Sequence, residues 1–464
     1  KTNRSNQKIT HYCAVCGREF ANHPSNATYN YDGTTIDDRM VRDGGHQAHY
    51  CTQNDRGQRR ITLQKEGEFY KLLVAYKQLK EWENAIKYYE KILIFEKELY
   101  KIFTNIGVSY FKLGKINQSI DAFKEAIKNN PNFGLAYNNL GISYLELGMY
   151  EKAIKQFVSA LKLNDEDYQA QTNLINTFNL NKPKINDEHP LLEINDKIEK
   201  LTQNKKFYTN FENKNIKEFL EKSNELIKKY KNNLFLNETQ IFRKNSINLN
   251  CGRHFKVFNE FNVIPKYCFG CYKVQINLKT VVDLIKLFFI FDKIKLKKNN
   301  IRKCMVEIRN KIKGNYKGYI YCEGIKEAEE IKKIISEIII NKNIDINNIT
   351  LKHGCSEFYL PYPSFEEINH KSSEKIKYDQ KWSVFEKIID SREPKRIEAD
   401  KKIWGRSIEG INLSDILILN NWISYSQIIG DESYKKVCDR KIENNFLNKF
   451  LENQLEFRKK ELKN

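Results

Sequence analysis

The chain has 464 residues, of which 40% are hydrophobic and 12% aromatic, so it can build cores for about three domains and reads as folded. Its formal net charge is +20, which invites a polyanion as partner, but abundant Lys, Asn and Ile are also what an AT-rich coding sequence produces. No apolar run reaches the length of a membrane span; Leu284 to Phe291 is interrupted by Lys286 and flanked by Asp283 and Asp292, so it reads as a buried helix.

The excess charge is uneven. Residues 66–167 carry 14 basic and 14 acidic side chains, whereas 251–464 carry 41 and 29, so the positive field belongs to the second half. Ten cysteines in a chain of this size do not form a small disulfide scaffold. Several stand in C-x2-C or C-x2-H pairs, the spacing of metal ligands in a reducing compartment, and a cytoplasmic location is expected. The first residue is Lys1 rather than Met, which leaves the natural start open.

Residues 1–62 hold seven of the sixteen arginines and four of the eight histidines, with turn signals at Asp32-Gly33 and Asp43-Gly44-Gly45. Cys13, Cys16, His46 and Cys51 form a C-x2-C-x29-H-x4-C pattern that suits tetrahedral Zn²⁺, with His49 or His23 as substitutes for His46. A stretch so poor in aliphatic residues needs such a staple, so a small zinc-ribbon-like module is expected here.

From Glu66 to Asp167 the sequence repeats every 34 residues. Leu73, Gly107 and Gly141 share one register, Tyr76, Tyr110 and Tyr144 another. Ala85, Ser119 and Ala153 share a third, Tyr89, Phe123 and Phe157 a fourth, and Ile92, Ala126 and Ala160 a fifth. A small residue where two helices touch, with aromatics beside it, describes a stacked helical hairpin. The pattern resembles the tetratricopeptide repeat (TPR) family, whose hairpins form a solenoid. Three hairpins and a capping helix are expected over 63–182, the first degenerate because Lys80 replaces the turn glycine. The resemblance implies a groove lined by the first helix of each pair: Tyr70, Lys101, Thr104, Val108, Phe111, Asn138, Ile142 and Leu145. It also implies that no partner carboxylate is clamped here, because Tyr70 and Val74 stand where such a clamp needs Lys and Asn. An apolar or amphipathic peptide, or a helix of this same chain, fits better.

Residues 183–245 read as a helical connector with Asn-rich turns. Then Cys251, His254, Cys268 and Cys271 form a C-x2-H-x13-C-x2-C pattern, two tight pairs that together saturate one structural zinc ion. After it come a helix over Val281 to Ile294 and a β-β-α-β run over 304–358, within an α+β domain expected to span 246–372. Cys304, Cys322, His353 and Cys355 fall on three of its strands, where separate buried thiols are the plainer reading than a second site. Between Lys293 and Lys317 there are ten basic residues and one acid. Lys297, Lys298, Arg302 and Lys303 there, with Tyr316, Tyr319 and Tyr321 nearby, are candidates for nucleic acid, against a simple solvated turn. Residues 373–464 read as helical, with Ser414 to Tyr425 expected to pack back on the β-α unit.

The fold expected is therefore mainly α: a TPR solenoid between an N-terminal zinc module and a zinc-containing α+β domain. No phosphate-binding glycine loop, Gly-x-Ser-x-Gly elbow or His-Glu-x-x-His motif is present, so no catalytic residues are assigned and whether the chain is an enzyme stays open. The expected role is a non-enzymatic adaptor for a protein or peptide, with a nucleic-acid-binding regulator as the alternative and an enzyme acting on a TPR-bound client third.

Overall fold

The computed structural model describes residues 69, 71–94, 96–183, 188–202, 212–230, 234–245, 249–310, 312–359, 361–365, 376–392 and 407–463, with two short strands, β1 (His11–Tyr12) and β2 (Glu19–Phe20), paired antiparallel. The expected ligands Cys13, Cys16, His46 and Cys51 lie outside the described residues, as does Tyr70. The chain divides into two compact units between Ser143 and Tyr144.

The first unit is helical. A helical run over 71–79 precedes α1 (Trp82–Ile92), α2 (Leu99–Lys112), α3 (Ile116–Asn129) and the start of α4 (Gly134–Glu146). Leu73, Ala85, Tyr89, Ile92, Ile102, Ile106 and Ala122 form one buried cluster. Gly107 explains the close approach of α2 to α3: a Cβ there would stand 2.6 Å from Cε1 of the buried Phe123 ring. Ser119 replaces the alanine of the other repeats, and its buried hydroxyl is satisfied by the Ser143 hydroxyl at 3.0 Å. The turn after the second hairpin's first helix uses Gly114 at φ 73°, and the third uses Gly148 at φ 69°. In the first hairpin Lys80 must take the same left-handed conformation, φ 60°, which strains a residue with a Cβ.

The second unit opens with α5 (Tyr150–Leu163), α6 (Tyr168–Thr177), α7 (Pro190–Thr202) and α8 (Asn213–Lys228). Asp167 caps α6 by accepting from Gln169 N and Ala170 N. A five-stranded antiparallel sheet follows, in the order β3-β5-β6-β4-β7. Its strands are β3 (Gln240–Arg243), β4 (Cys271–Leu278), β5 (Arg302–Val306), β6 (Tyr316–Glu323) and β7 (Ile346–His353). β3 and β4 are two strands that the sequence reading did not anticipate. Helices α9 (Cys251–Phe261), α10 (Val281–Lys293), α11 (Ile325–Asn341) and α12 (Ser383–Arg392) are followed by α13 (Leu413–Ile429), α14 (Asn445–Leu451) and α15 (Leu455–Lys463).

Strand alternation gives the sheet two unlike faces. Ile241, Val274, Ile276, Cys304, Val306, Ile320 and Leu351 point to one side, against α10 and α11. Gly318 belongs to that side, where a Cβ would meet Leu287 Cδ2 at 2.4 Å, so its absence lets α10 settle onto the strands. Behind this layer α13 is buried almost all round, and it touches α6, α7, α8, α10 and α15. A helix apolar on every side belongs inside a core. Its start is fixed twice. Asn412 and Asp415 form a capping box, and the buried Arg243 of β3 donates to Asp415 at 2.8 Å and to Asp292 at 2.6 Å. Polar links continue to α7, where Asn195 accepts from Leu413 N at 3.0 Å, and to Asn179 beyond the end of α6, which accepts from Asn412 at 3.0 Å.

Candidate functional site

Two surfaces carry candidate chemistry, one in each unit. In the first, the register places Val108 and Phe111 on α2 and Ile142 on α4, all partly exposed, while their helix neighbours Ile106, Gly107, Leu140 and Gly141 are buried. Leu145, on the last turn of α4 and already within the second unit, is also partly exposed. Thr104 and Asn138 are different: both are buried, and the Thr104 hydroxyl donates back to Tyr100 O at 2.7 Å, so their side chains serve the helices more than a groove. Lys101 is exposed and held by Glu98. Val74 is 53% exposed, so the position where a carboxylate clamp needs a polar group offers an isopropyl group to solvent.

In the second unit the sheet face away from α10 and α11 is polar. Register aligns Lys303 with Tyr319, Tyr321 with Lys273 and Lys273 with Lys352, while Lys317 stands opposite Asn277. Four lysines from four strands thus share one face, with Gln275, Tyr319 and Tyr321 between them. The expected basic stretch is divided by this alternation. Lys297 and Lys298 are exposed before β5, with Lys298 paired to Glu323 at 2.9 Å. Arg302 points to the helix side, buried, donating to Phe291 O at 2.8 Å and Asn300 O at 3.1 Å. Only Lys303 of the four candidates lies on the polar face.

The partners of these lysines are mostly neutral. Lys303 reaches Gln240 Oε1 at 3.2 Å and lies over the rings of Tyr319 and Phe242, at 5.1 and 5.5 Å from their centroids. Lys352 donates to the Ser356 hydroxyl and lies over Tyr359. Lys273, 7% exposed, donates to Cys355 Sγ at 3.3 Å and lies over Tyr321. Lys317 alone meets a carboxylate, Glu307 at 2.9 Å, which Arg309 also grips through Nε and Nη2. Burial, followed by the charges of Lys273 and its cationic neighbours, pulls Lys303 and Lys352 down to about 8. Burial pushes Glu307 up, but hydrogen bonds from Arg309 and the Lys317 charge outweigh it and hold the carboxyl at about 2.

Cysteines flank one end of this face. Cys251, His254, Cys268 and Cys271 line one small cavity, and Cys355 lines it too. Cys355 arrives through Gly354, which takes φ 57°, donates its N–H to Cys271 O at 2.8 Å and has no room for a Cβ beside Phe365. Burial pushes Cys271 up to about 11 and raises Cys251 and Cys268, with the neighbouring thiols adding to all three shifts. The buried His254 ring stacks on Tyr267 with centroids 5.3 Å apart. Burial also lowers its pKa, which favours the neutral imidazole, the form a metal requires. As placed, no three His, Cys, Asp or Glu side chains among the described residues are arranged to hold a metal ion. Cys304 and Cys322 do not join them: Cys304 stands opposite Gly318 and Cys322 opposite Tyr272, both on the helix side. His353 is spent on the carbonyls of Phe365 and Phe269, at 2.9 and 3.0 Å.

Sequence reading missed Lys273, Lys352, Glu307 and Arg309 as members of one surface. The available signal was the polar-apolar alternation of Lys273, Gln275 and Asn277 against Val274, Ile276 and Leu278, which marks a strand with one core face.

No helix of the described residues is long and apolar enough to cross a membrane. A comparison with curated proteins finds no match. Among solved structures, the second TPR domain of human RPAP3, in complex with an HSP70 peptide, is 20% identical over 24% of this chain and 91% of its own length, with a TM-score of 0.22. The Arabidopsis OM64 TPR domain is 18% identical over 24% and 90%, with a TM-score of 0.23. MamA is 19% identical over 28% and 84%, with a TM-score of 0.22. Two family models described as tetratricopeptide repeat match residues 100–133 and 122–155. The helical hairpins over residues 100–155 are tetratricopeptide repeats.

Proposed function

We propose that this protein is a non-enzymatic interaction adaptor whose repeats receive an apolar or amphipathic segment of another protein. The observation that carries the reading is the set of partly exposed apolar side chains on the first helices of the hairpins, Val108, Phe111 and Ile142. Apolar side chains presented along a helical groove are suited to anchors at helical spacing on an incoming peptide. Val74 at the clamp position argues against recognition of a terminal carboxylate. Selection from a displayed random-peptide library by the full chain tests this. Enriched peptides should carry spaced apolar residues and lose binding to the Phe111→Glu protein. Enrichment of acidic C-terminal tails, or binding indifferent to that substitution, would refute it.

A structural zinc ion in the second unit belongs to the same proposal. The donors are of the kind zinc takes: Cys251, Cys268 and Cys271 line one cavity with His254 and with Cys355, and a divalent ion drawing them together would relieve the cost of keeping several buried thiols side by side. With Cys355 available, His254 is one of two candidates for the fourth ligand. Metal analysis of the purified protein should find zinc that is lost in Cys268→Ser. Retention in Cys355→Ser but not His254→Ala would identify the fourth ligand as His254, and the reverse as Cys355. Metal-free protein of unchanged stability would remove zinc from the account.

A further inference from the structure

The polar face of the sheet holds more positive charge than its surroundings balance. Lys273, Lys303, Lys317, Lys352 and Arg309 stand on or beside it, against the carboxylates Glu307 and Glu357 and, at the end of β6, Glu323, which is paired with Lys298. Glu307 is consumed by Lys317 and Arg309, and Glu357 by Arg309 at 2.9 Å. Lys273, Lys303 and Lys352 are left with a thiol, an amide, a hydroxyl and aromatic rings. Lys273 has the cysteine cavity beside it, so Lys303 and Lys352 are the two whose hydrogen-bond partners among the described residues are all neutral. Ammonium groups withdrawn from water are normally paired. A fold that brings two such groups from different strands to one face, with Lys273 between them, is preorganised for an anion that comes from outside.

The shape of the face selects the class of anion. Lys303 on β5 and Lys352 on β7 are separated by three strand spacings, about 15 Å at the usual spacing, with Lys273 on β4 between them. Gln275 lies between them as a neutral hydrogen-bonding group, and the Tyr319 and Tyr321 rings lie beneath Lys303 and Lys273. Beyond Lys352, Thr350 and Asn348 on the same face of β7 are exposed, so the face opens to solvent at that edge.

We propose that this face binds a small polyanion built of linked phosphate groups, with Lys273, Lys303 and Lys352 as its direct partners and Glu307 as the residue that fixes Lys317 and Arg309 behind them. The site is separate from the repeat surface and stands independently of the adaptor reading. Free oligophosphate and the phosphate chain of a nucleotide share this chemistry.

Isothermal titration calorimetry of the full chain tests the proposal, with inorganic tripolyphosphate, a nucleoside triphosphate and a single-stranded oligonucleotide as separate probes. Saturable binding of tripolyphosphate is expected, weakened at least tenfold in Lys303→Met/Lys352→Met. These replacements remove charge from partly buried positions and keep length, and circular dichroism confirms the fold. Lys297→Glu/Lys298→Glu, on the exposed stretch before β5, should bind as the unmodified chain does. A nucleoside triphosphate that binds more tightly than tripolyphosphate would name a nucleotide as the source, and equal affinity would name the phosphate chain alone. The proposal is overturned by absence of saturable binding, by equal affinity in the Met variant, by loss only in the 297/298 variant, or by binding of the oligonucleotide alone.

Discussion

Replacing Glu307 with Gln should destabilise the second unit severely, and the structure gives the size of the effect. The carboxylate is fully buried, accepts from Lys317 Nζ at 2.9 Å and from Arg309 Nε and Nη2 at 2.9 and 2.8 Å, and also takes the backbone N–H of Arg309 at 3.0 Å. Its pKa is held at about 2, first against burial and then by Arg309 and Lys317, against about 4.3 for an unperturbed glutamate. A folded-state pKa below the unfolded value contributes stability that is present above about pH 4.5 and lost as pH falls toward 2. The shift corresponds to about 3 kcal/mol. Gln keeps the shape but leaves Lys317, 1% exposed, without an anion, and breaking one side of a buried pair costs about 3–5 kcal/mol. Urea unfolding at pH 7, followed by tryptophan fluorescence (Trp422 is fully buried on α13), should show a loss near 3 kcal/mol. Glu307→Gln/Lys317→Met should recover part of it, because the stranded charge is then gone. A loss below about 1 kcal/mol with no recovery in the double variant would refute the reasoning.

Lys80→Gly should stabilise the repeats by about 0.5–1 kcal/mol, since Lys80 occupies φ 60° where the next two hairpins use glycine; a thermal melt that falls instead would contradict it. Gly107→Ala should cost about 1–2 kcal/mol despite alanine's better helix propensity, because the new Cβ would stand 2.6 Å from the buried Phe123 ring. Tripolyphosphate affinity should fall as pH rises above about 8, where Lys303 and Lys352 lose their protons. The stability of the free chain should move the opposite way. A lysine pKa depressed by folding means the unfolded chain binds more protons between about 8 and 10.4, so stability rises with pH across that window, and the Lys303→Met/Lys352→Met protein should lack both trends.

The repeats were legible because their signal is local and redundant: Gly107, Phe123 and Ala126 recur at a fixed spacing, and each spacing has one packing meaning. The helix at Val281 and the strand-strand-helix-strand order after Cys304 were legible for the same reason. Cys355 was harder to place. No spacing rule links it to Cys251, Cys268 and Cys271; it reaches their cavity only because β7 pairs with β4 and Gly354 turns the chain back. The basic stretch from Lys293 to Lys317 misled in a different way. Adjacent in sequence, Arg302 and Lys303 point to opposite sides of β5, one to carbonyls behind the sheet and the other to the polar face. The lysines that do stand together, Lys273, Lys303, Lys317 and Lys352, come from four strands and form no run at all. β3 is only four residues long and sits in an Asn-rich stretch, too short for its alternation to stand out, although its Arg243 ties the sheet to α13.

The adaptor reading is tested most directly by what occupies the repeat surface. A photo-reactive benzoylphenylalanine at position 111 of the full chain, irradiated alone and with a peptide from the library selection, followed by mass spectrometry, distinguishes the occupants. The account predicts an adduct to the added peptide through its apolar residues, and none within the chain when irradiated alone. An intramolecular adduct to another segment, formed equally with and without peptide, would contradict it and make the repeat surface an internal packing face.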